Sequence, residues 1–302
     1  MMELTILGCH SATPRDGKHT TSQLLEVGGH LLLIDCGEGT QIQLRKSKVK
    51  FSRIQHVFIS HLHGDHFYGL IGLISTFRLL GRTAPLHVYG PSGIKQIITL
   101  QLKLANSWTD YPLCFHELSS TKSEVIFEDT VLSVATIPLH HRVYTNGFLF
   151  STKIGTWKIN QELASEYPLL PSMYQQLKKG EDITLEDGTQ VEYQKLTLPP
   201  ELPKKYAFCS DTAYNTSIIP LIMEVDLLYH EATFLDKHLS LAEKTKHSTA
   251  KQAAMIAKQA NVKQLMVGHY SNRYKSKNEF LIEANTVFEN VILSEDFKNI
   301  SL

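Results

Sequence analysis

Four potential metal ligands fall within six residues, His61-Leu62-His63-Gly64-Asp65-His66, and no other stretch of the 302-residue chain restricts its folding as tightly. In an extended segment residues i and i+2 share a face, so His61 and His63 point the same way. Gly64 then permits a tight turn, and Asp65 and His66 stand where a helix begins. Imidazole nitrogen with carboxylate oxygen is the donor set that suits zinc and similar first-row metals. The ordinary alternative is a run of solvated loop histidines or satisfied core groups. Even with 15 histidines in the chain, H-x-H-x-D-H arises by chance in roughly one such sequence in several hundred.

The rest of the composition is that of a globular chain, with 42% hydrophobic and 20% charged residues. Lys+Arg and Asp+Glu both total 30, so the formal net charge is zero. That balance excludes a basic tail or a supercharged nucleic-acid coat and leaves only local basic patches. Cys9, Cys36, Cys114 and Cys209 stand far apart with no C-x-x-C, which indicates neither a disulfide framework nor a cysteine zinc site. The start, MMELTILGCHSATP, has no basic n-region followed by a long apolar stretch. With free cysteines and no apolar run long enough for a membrane span, the expectation is a cytoplasmic protein without membrane attachment.

Apolar runs bounded by Gly, Pro and charged residues predict strands at 2–7, 22–27, 30–35, 57–60, 86–91, 113–118, 124–127, 131–138 and 147–154. Helical spacing follows the histidine motif up to Gly81 and recurs at about 92–106. The segment 157–203 has five prolines, scattered charges and a short periodic stretch only around Met173–Leu177. It reads as a long insertion, either functional or a surface embellishment. Beyond it come strand runs at 206–212, 226–234 and 262–269, a helix at 249–260 and a last helix near 277–287. Strands alternating with helices predict a layered α/β architecture. Further candidate ligands stand just past strand runs: His140 and His141 after LSVATIP, Asp211 after YAFCS, and His269 after QLMVG. In open α/β layers that edge is where sites are built.

LIDCGEGTQ (33–41), SHLHGDHFYGLIGL (60–73), FCSDT (208–212), HEATF (230–234), HSTAKQAA (247–254) and VGHYSNRY (267–274) together resemble the metallo-β-lactamase-fold hydrolases. Within them the chain is similar to the ribonuclease Z family of tRNA 3′-processing endonucleases. The resemblance covers almost the whole chain. It implies one hydrolase domain, residues 1–302, folded as a four-layer αββα sandwich with an inserted flexible substrate-binding arm at about 157–203. It implies two zinc ions per subunit, one held by His61, His63 and His141, the other by Asp65, His66 and His269, with Asp211 bridging. His141 rather than His140 fits the family spacing, three residues after Pro138 and six before Gly147. Asp35 would orient a ligand, Asp65 would also handle the proton of the attacking water, and His247 supported by Glu231 would be the proton donor.

The implied activity is cleavage of the 3′ trailer from precursor tRNA after the discriminator nucleotide, leaving a 3′-hydroxyl, by a cytoplasmic homodimer that uses no small-molecule organic cofactor. Arg273, Lys178 and Lys179 are the foremost substrate-binding candidates, with Arg45, Lys46, Lys48, Lys50, Arg53, Lys275 and Lys277 as further basic positions. Two departures from the family stand out. The arm carries LLPSMYQQLKKGED where the family has a Gly-Pro signature, and TPRDGKHT (13–20) matches the family's Pro- and Arg/Asn-rich loop only loosely. Two rival readings remain open from the residues alone: a small-molecule phosphodiesterase or other hydrolase of the same fold, and a metal-stabilised RNA-binding module.

Overall fold

The computed structural model of the protein describes residues 2–15 and 17–302; Met1 and Asp16, the latter within the TPRDGKHT loop, lie outside the described residues. Two seven-stranded mixed sheets form the scaffold. The first runs, edge to edge, through Asn299–Ser301, Met2–Gly8, Ser22–Val27, His30–Ile34, Ile54–Phe58, Leu86–Pro91 and Leu113–Leu118. The second runs through Val291–Leu293, Leu265–Gly268, Leu227–Glu231, Lys205–Cys209, Asn146–Thr152, Leu132–Pro138 and Val125–Glu128.

Strands buried on both faces need unbroken apolar runs rather than alternation, and His30–Ile34 shows why. Leu31 and Leu33 join Val57, Leu86 and Val88 beneath Leu73, Ile74, Phe77 and Ile98 of the helices Gly69–Leu79 and Ile94–Leu104. Leu32 and Ile34 instead join Met2, Leu4, Ile6 and Phe58 in the core shared with the second sheet. There the Phe58 ring lies 5.5 Å from both Phe148 and Phe150, and the buried Tyr206 hydroxyl donates to Gln23 across the sheets. Phe58, Phe148 and Phe150 are fully buried, each contributing about 1.5–3 kcal/mol of apolar burial. The helix Ala250–Gln259 packs against Leu227–Glu231 and Leu265–Gly268. It is started by a capping box in which Thr249 accepts from the Gln252 amide. The layers are therefore helix, sheet, sheet, helix.

Several bounds differ from expectation for physical reasons. The strand expected at 57–60 is Ile54–Phe58, because the Ser60 amide leaves the ladder to bond the Asp35 carboxylate at 2.7 Å. The helix expected from about 92 starts at Ile94, since Gly93 sits at φ 99°, outside helical backbone. The short helices Thr40–Lys46 and Leu239–Thr245 and the edge strands Val291–Leu293 and Asn299–Ser301 were not expected.

Residues 152–203 form a compact unit of their own. Its small core is Met173, Leu177, Ile183, Leu185, Val191 and Leu196. Around it lie the helix Pro171–Lys179 and two short two-stranded sheets, Lys158–Ile159 with Thr197–Leu198 and Ile183–Thr184 with Gln190–Val191. The remainder of the chain closes up beside this insertion: Ser151 pairs with Lys205 as antiparallel neighbours.

Candidate metal centre

Most candidate ligands leave the scaffold at a strand end, and Asp65 and His66 follow on the short helix Gly64–Phe67. Ile54–Phe58 leads into His61, Leu132–Pro138 into His141, Lys205–Cys209 into Asp211, and Leu265–Gly268 directly into His269. Three of the turning points are non-glycine residues in left-handed backbone: Asp35 (φ 56°), Asp211 (φ 55°) and His269 (φ 61°). Such conformations cost of order 1 kcal/mol or more and cluster where a side chain must be aimed. Gly37 serves the same end differently, since a Cβ there would collide with the Asp65 carbonyl and Thr20.

Two groups of donors result. His61, His63, His141 and Asp211 have ligand atoms within 4.8 Å of one another, and so do Asp65, His66 and His269. Asp211 faces both. Its Oδ1 lies 3.2 Å from His66 Nε2 and 3.1 Å from His269 Nε2, and its Oδ2 lies 3.5 Å from His61 Nε2 and 3.7 Å from His141 Nε2. Asp65 Oδ2, which accepts the Ala12 amide at 2.7 Å, is 3.4 Å from His269 Nε2. The neighbouring His140 is exposed and belongs to neither group.

Outer hydrogen bonds fix which ring nitrogen is free. His141 Nδ1 faces the Lys246 carbonyl at 2.8 Å, an acceptor only, so Nδ1 carries the proton and Nε2 the lone pair. His66 Nδ1 donates to Asp35 Oδ2 at 2.7 Å. The Ser60 hydroxyl donates to Asp35 at 2.9 Å and thereby accepts from His61 Nδ1 at 3.0 Å. The Thr233 hydroxyl donates to Glu231 Oε2 at 2.6 Å and accepts from His269 Nδ1 at 2.8 Å. Four Nε2 atoms are thus turned inward, with His63 presenting Nδ1 at 2.9 Å from His61 Nε2. Ser60 and Thr233 were not singled out from the sequence, although Thr233 lies inside HEATF.

The electrostatics fit a cation. Burial holds His61, His63 and His141 below the ordinary histidine range, which keeps them neutral and able to ligate. Burial pushes the Asp211 carboxyl up, and His269, His66 and His61 more than reverse it, so it stays ionised. Burial also pushes His66 down, yet Asp211, Asp65 and Asp35 raise it well above its usual value. A proton there balances carboxylate charge that a divalent cation would neutralise. These donors fit first-row metals.

His247 lies beside the ligands, its ring stacked 5.5 Å from His269, and its Nδ1 donates to Glu231 Oε1 at 2.7 Å. Glu231 is fully buried but saturated, accepting also from Thr212 N at 3.0 Å, Thr233 N at 3.0 Å and the Thr233 hydroxyl. Burial lowers the His247 pKa, and the Glu231 charge more than offsets this and raises it to about 9. Asp211, His247 and His269 also have ligand atoms within 4.8 Å, but a protonated His247 is a donor rather than a ligand. Members of both donor groups and His247 open on one cavity of about 340 Å³, whose lining includes His63, Asp65, Asp211, His247, His269 and Arg142. Arg273 is exposed, with its guanidinium 5.3 Å from the Phe234 ring. Lys178 and Lys179 are exposed at the end of the helix Pro171–Lys179, in the separate unit.

This sheet pair with ligands on its edge is the metallo-β-lactamase fold. The structure superposes on human tRNase Z, short form, with a TM-score of 0.73 and 29% identity, covering 99% of this chain and 98% of that one. It also matches the metallo-β-lactamase-fold protein YhfI of Bacillus subtilis, with a TM-score of 0.71 over the full length of both chains at 19% identity, a likeness of fold. Residues 2–154 match the family model described as "Anti-Pycsar protein Apyc1", a stretch that carries the histidine loop but ends before Asp211, Glu231, His247 and His269. Over 300 residues the chain is 45% identical to the ribonuclease Z of Bacteroides fragilis, covering 99% of each, and 46% identical to that of Phocaeicola vulgatus, covering 99% and 97%. The chain belongs to the ribonuclease Z family.

Proposed function

We propose that the chain is a metal-dependent endonuclease that removes the 3′ trailer from precursor tRNA after the discriminator nucleotide, leaving a 3′-hydroxyl on the tRNA. One observation carries this reading: two donor groups sharing Asp211 open on the same cavity as a charged His247–Glu231 pair, in a chain 45% identical to a ribonuclease Z. His61, His63 and His141 would hold one zinc and Asp65, His66 and His269 a second, with Asp211 between them. Divalent ions bound there supply Lewis acidity, neutralising phosphoryl oxygens and acidifying water.

The protein's own groups handle the protons. Asp65 orients the attacking water and takes up its proton. His247, with Nδ1 committed to Glu231, presents a protonated Nε2 to the departing 3′-oxygen. Glu231 keeps that ring charged and aimed. Arg273, on its Phe234 platform, contacts the 3′ end, and the unit 152–203, with Lys178 and Lys179, serves as a tRNA-gripping arm. The working form in this reading is a cytoplasmic homodimer without a small-molecule organic cofactor. With net charge zero, tRNA affinity rests on such local cations and on the metals.

Incubation of the purified, zinc-loaded chain with a 3′-extended precursor tRNA tests the proposal, with metal stoichiometry measured in parallel. A single cut after the discriminator and two zinc ions per chain are expected. The alternative is a small-molecule phosphodiesterase of the same fold, since fold alone does not fix substrate; turnover of small phosphodiesters with no tRNA cleavage would establish it instead. Binding of tRNA without any hydrolysis would leave an RNA-binding module.

A further inference from the structure

The cavity floor carries the carboxylates of Asp65 and Asp211, yet its substrate is a polyanion. Among the described residues lining it, Arg142 is the only arginine or lysine. Arg142 immediately follows His141, on the turn between the strands Leu132–Pro138 and Asn146–Thr152, and it is exposed. It shares the lining of the cavity with His63 of the histidine loop and with His247, the proton donor.

Of the other arginines, Arg15 makes only backbone bonds, with Lys18, and does not line the cavity, and the rest are engaged. Arg53 pairs with Glu26 and Arg78 with Asp110, Arg82 bonds the Ala84 and Pro85 carbonyls, and Arg45 and Arg273 sit over the Phe51 and Phe234 rings. Among the described residues Arg142 has no hydrogen-bond, ion-pair or ring partner. A planar fork with no internal partner, at the wall of a phosphodiesterase cavity, suits two non-bridging oxygens of one phosphate.

We propose that Arg142 is a further catalytic residue, which grips the non-bridging oxygens of the scissile phosphodiester and stabilises the charge that grows on them as the 3′-oxygen departs. This rests on the phosphodiesterase reading above. The guanidinium approaches from the His63 and His247 side and leaves the donor groups of the metal centre untouched. Lysine in its place keeps the charge and loses the fork.

The test compares wild type, Arg142→Ala and Arg142→Lys, all zinc-loaded, on bis(p-nitrophenyl) phosphate and on 3′-extended precursor tRNA. Arg142→Ala is expected to lower kcat about 100-fold on both substrates, the scale seen when one donor to a developing oxyanion is removed. Arg142→Lys should fall between the two. Metal content should be unchanged, and guanidinium ion at millimolar concentration should restore part of the lost rate. Inorganic phosphate, titrated calorimetrically, should bind Arg142→Ala about tenfold more weakly. Activities within twofold of wild type on both substrates overturn the proposal. So does a loss confined to precursor tRNA, which would put the contact on a flanking phosphate, and so does a loss that guanidinium does not relieve. A wild type active only on bis(p-nitrophenyl) phosphate sinks the tRNA reading while still supporting or overturning the role of Arg142 through that substrate.

Discussion

Replacing Glu231 by glutamine keeps the shape of the side chain and removes its charge, which isolates what the carboxylate does for His247. In the native site both oxygens accept only: Oε1 from Thr212 N and His247 Nδ1, Oε2 from Thr233 N and its hydroxyl. A carboxamide must turn its NH₂ towards one of those donor pairs, so a hydrogen bond is lost as well as the charge. His247 stands at about 9 because Glu231 more than offsets a burial that would lower it from 6.5. The difference is about 2.5 pKa units, which at 1.36 kcal/mol per unit is about 3 kcal/mol of preference for the charged ring. Without Glu231 the burial remains, opposed by the Asp211 charge, so the pKa falls back towards the ordinary 6.5.

A proton donor acts while protonated, so rate is retained below its pKa and lost as pH rises through it. At pH 7.5 the protonated fraction falls from nearly all to about one-tenth. Single-turnover cleavage measured from pH 5.5 to 10 should therefore show a wild-type alkaline limb at or below about 9 and, in Glu231→Gln, a limb moved well to the acid side with a loss of about tenfold at pH 7.5. Because Glu231 also holds the Thr233 hydroxyl that orients His269, the two proteins are compared at zinc concentrations that keep both fully loaded, with metal content measured in parallel. An alkaline limb that stays in place in Glu231→Gln would refute the assignment of His247 as the charged donor.

Three other variants probe the rest of the centre. His247→Ala should lower turnover by orders of magnitude with full metal content, and unchanged single-turnover cleavage would remove it from the mechanism. Asp35→Asn breaks an acceptor that orients His66 and, through Ser60, His61; metal affinity in a chelator competition should fall about 10–100-fold. Excising residues 152–203 and joining Ser151 to Lys204 by a short glycine-containing turn should raise KM for precursor tRNA and spare bis(p-nitrophenyl) phosphate. Equal loss on both substrates would contradict an arm devoted to tRNA.

Elements that bury two faces or carry a complete helical stripe were legible from the sequence. The run LLLI announced a strand because both faces of His30–Ile34 are covered, and Ala250–Gln259 carried its period in plain view. Leu239–Thr245 escaped notice because only Ala242 is buried on it, which leaves no periodic signal. Apart from the helix Pro171–Lys179, whose period shows at Met173–Leu177, the unit 152–203 uses two-residue strands and four-residue helices, too short for a period to show. In the site, titratable side chains drew attention and the groups that steer them did not. Ser60 and Thr233 are small hydroxyls of unremarkable type, the Lys246 carbonyl and Ala12 amide are backbone, and Arg142 became distinct only when its neighbours proved to offer it no partner.

The left-handed residues at 211 and 269 set function against fold in a way that time would expose. At both positions the backbone by itself would be best served by glycine, and an aspartate or histidine is kept there for its side chain. Asp35 is different, because its carboxylate also holds the buried Ser60 amide and hydroxyl, and its loss would strand them. A copy of this gene released from its chemistry would therefore be free to drift to glycine at 211 and 269 while keeping Asp35, the mark of a descendant that has retired as an enzyme but still folds.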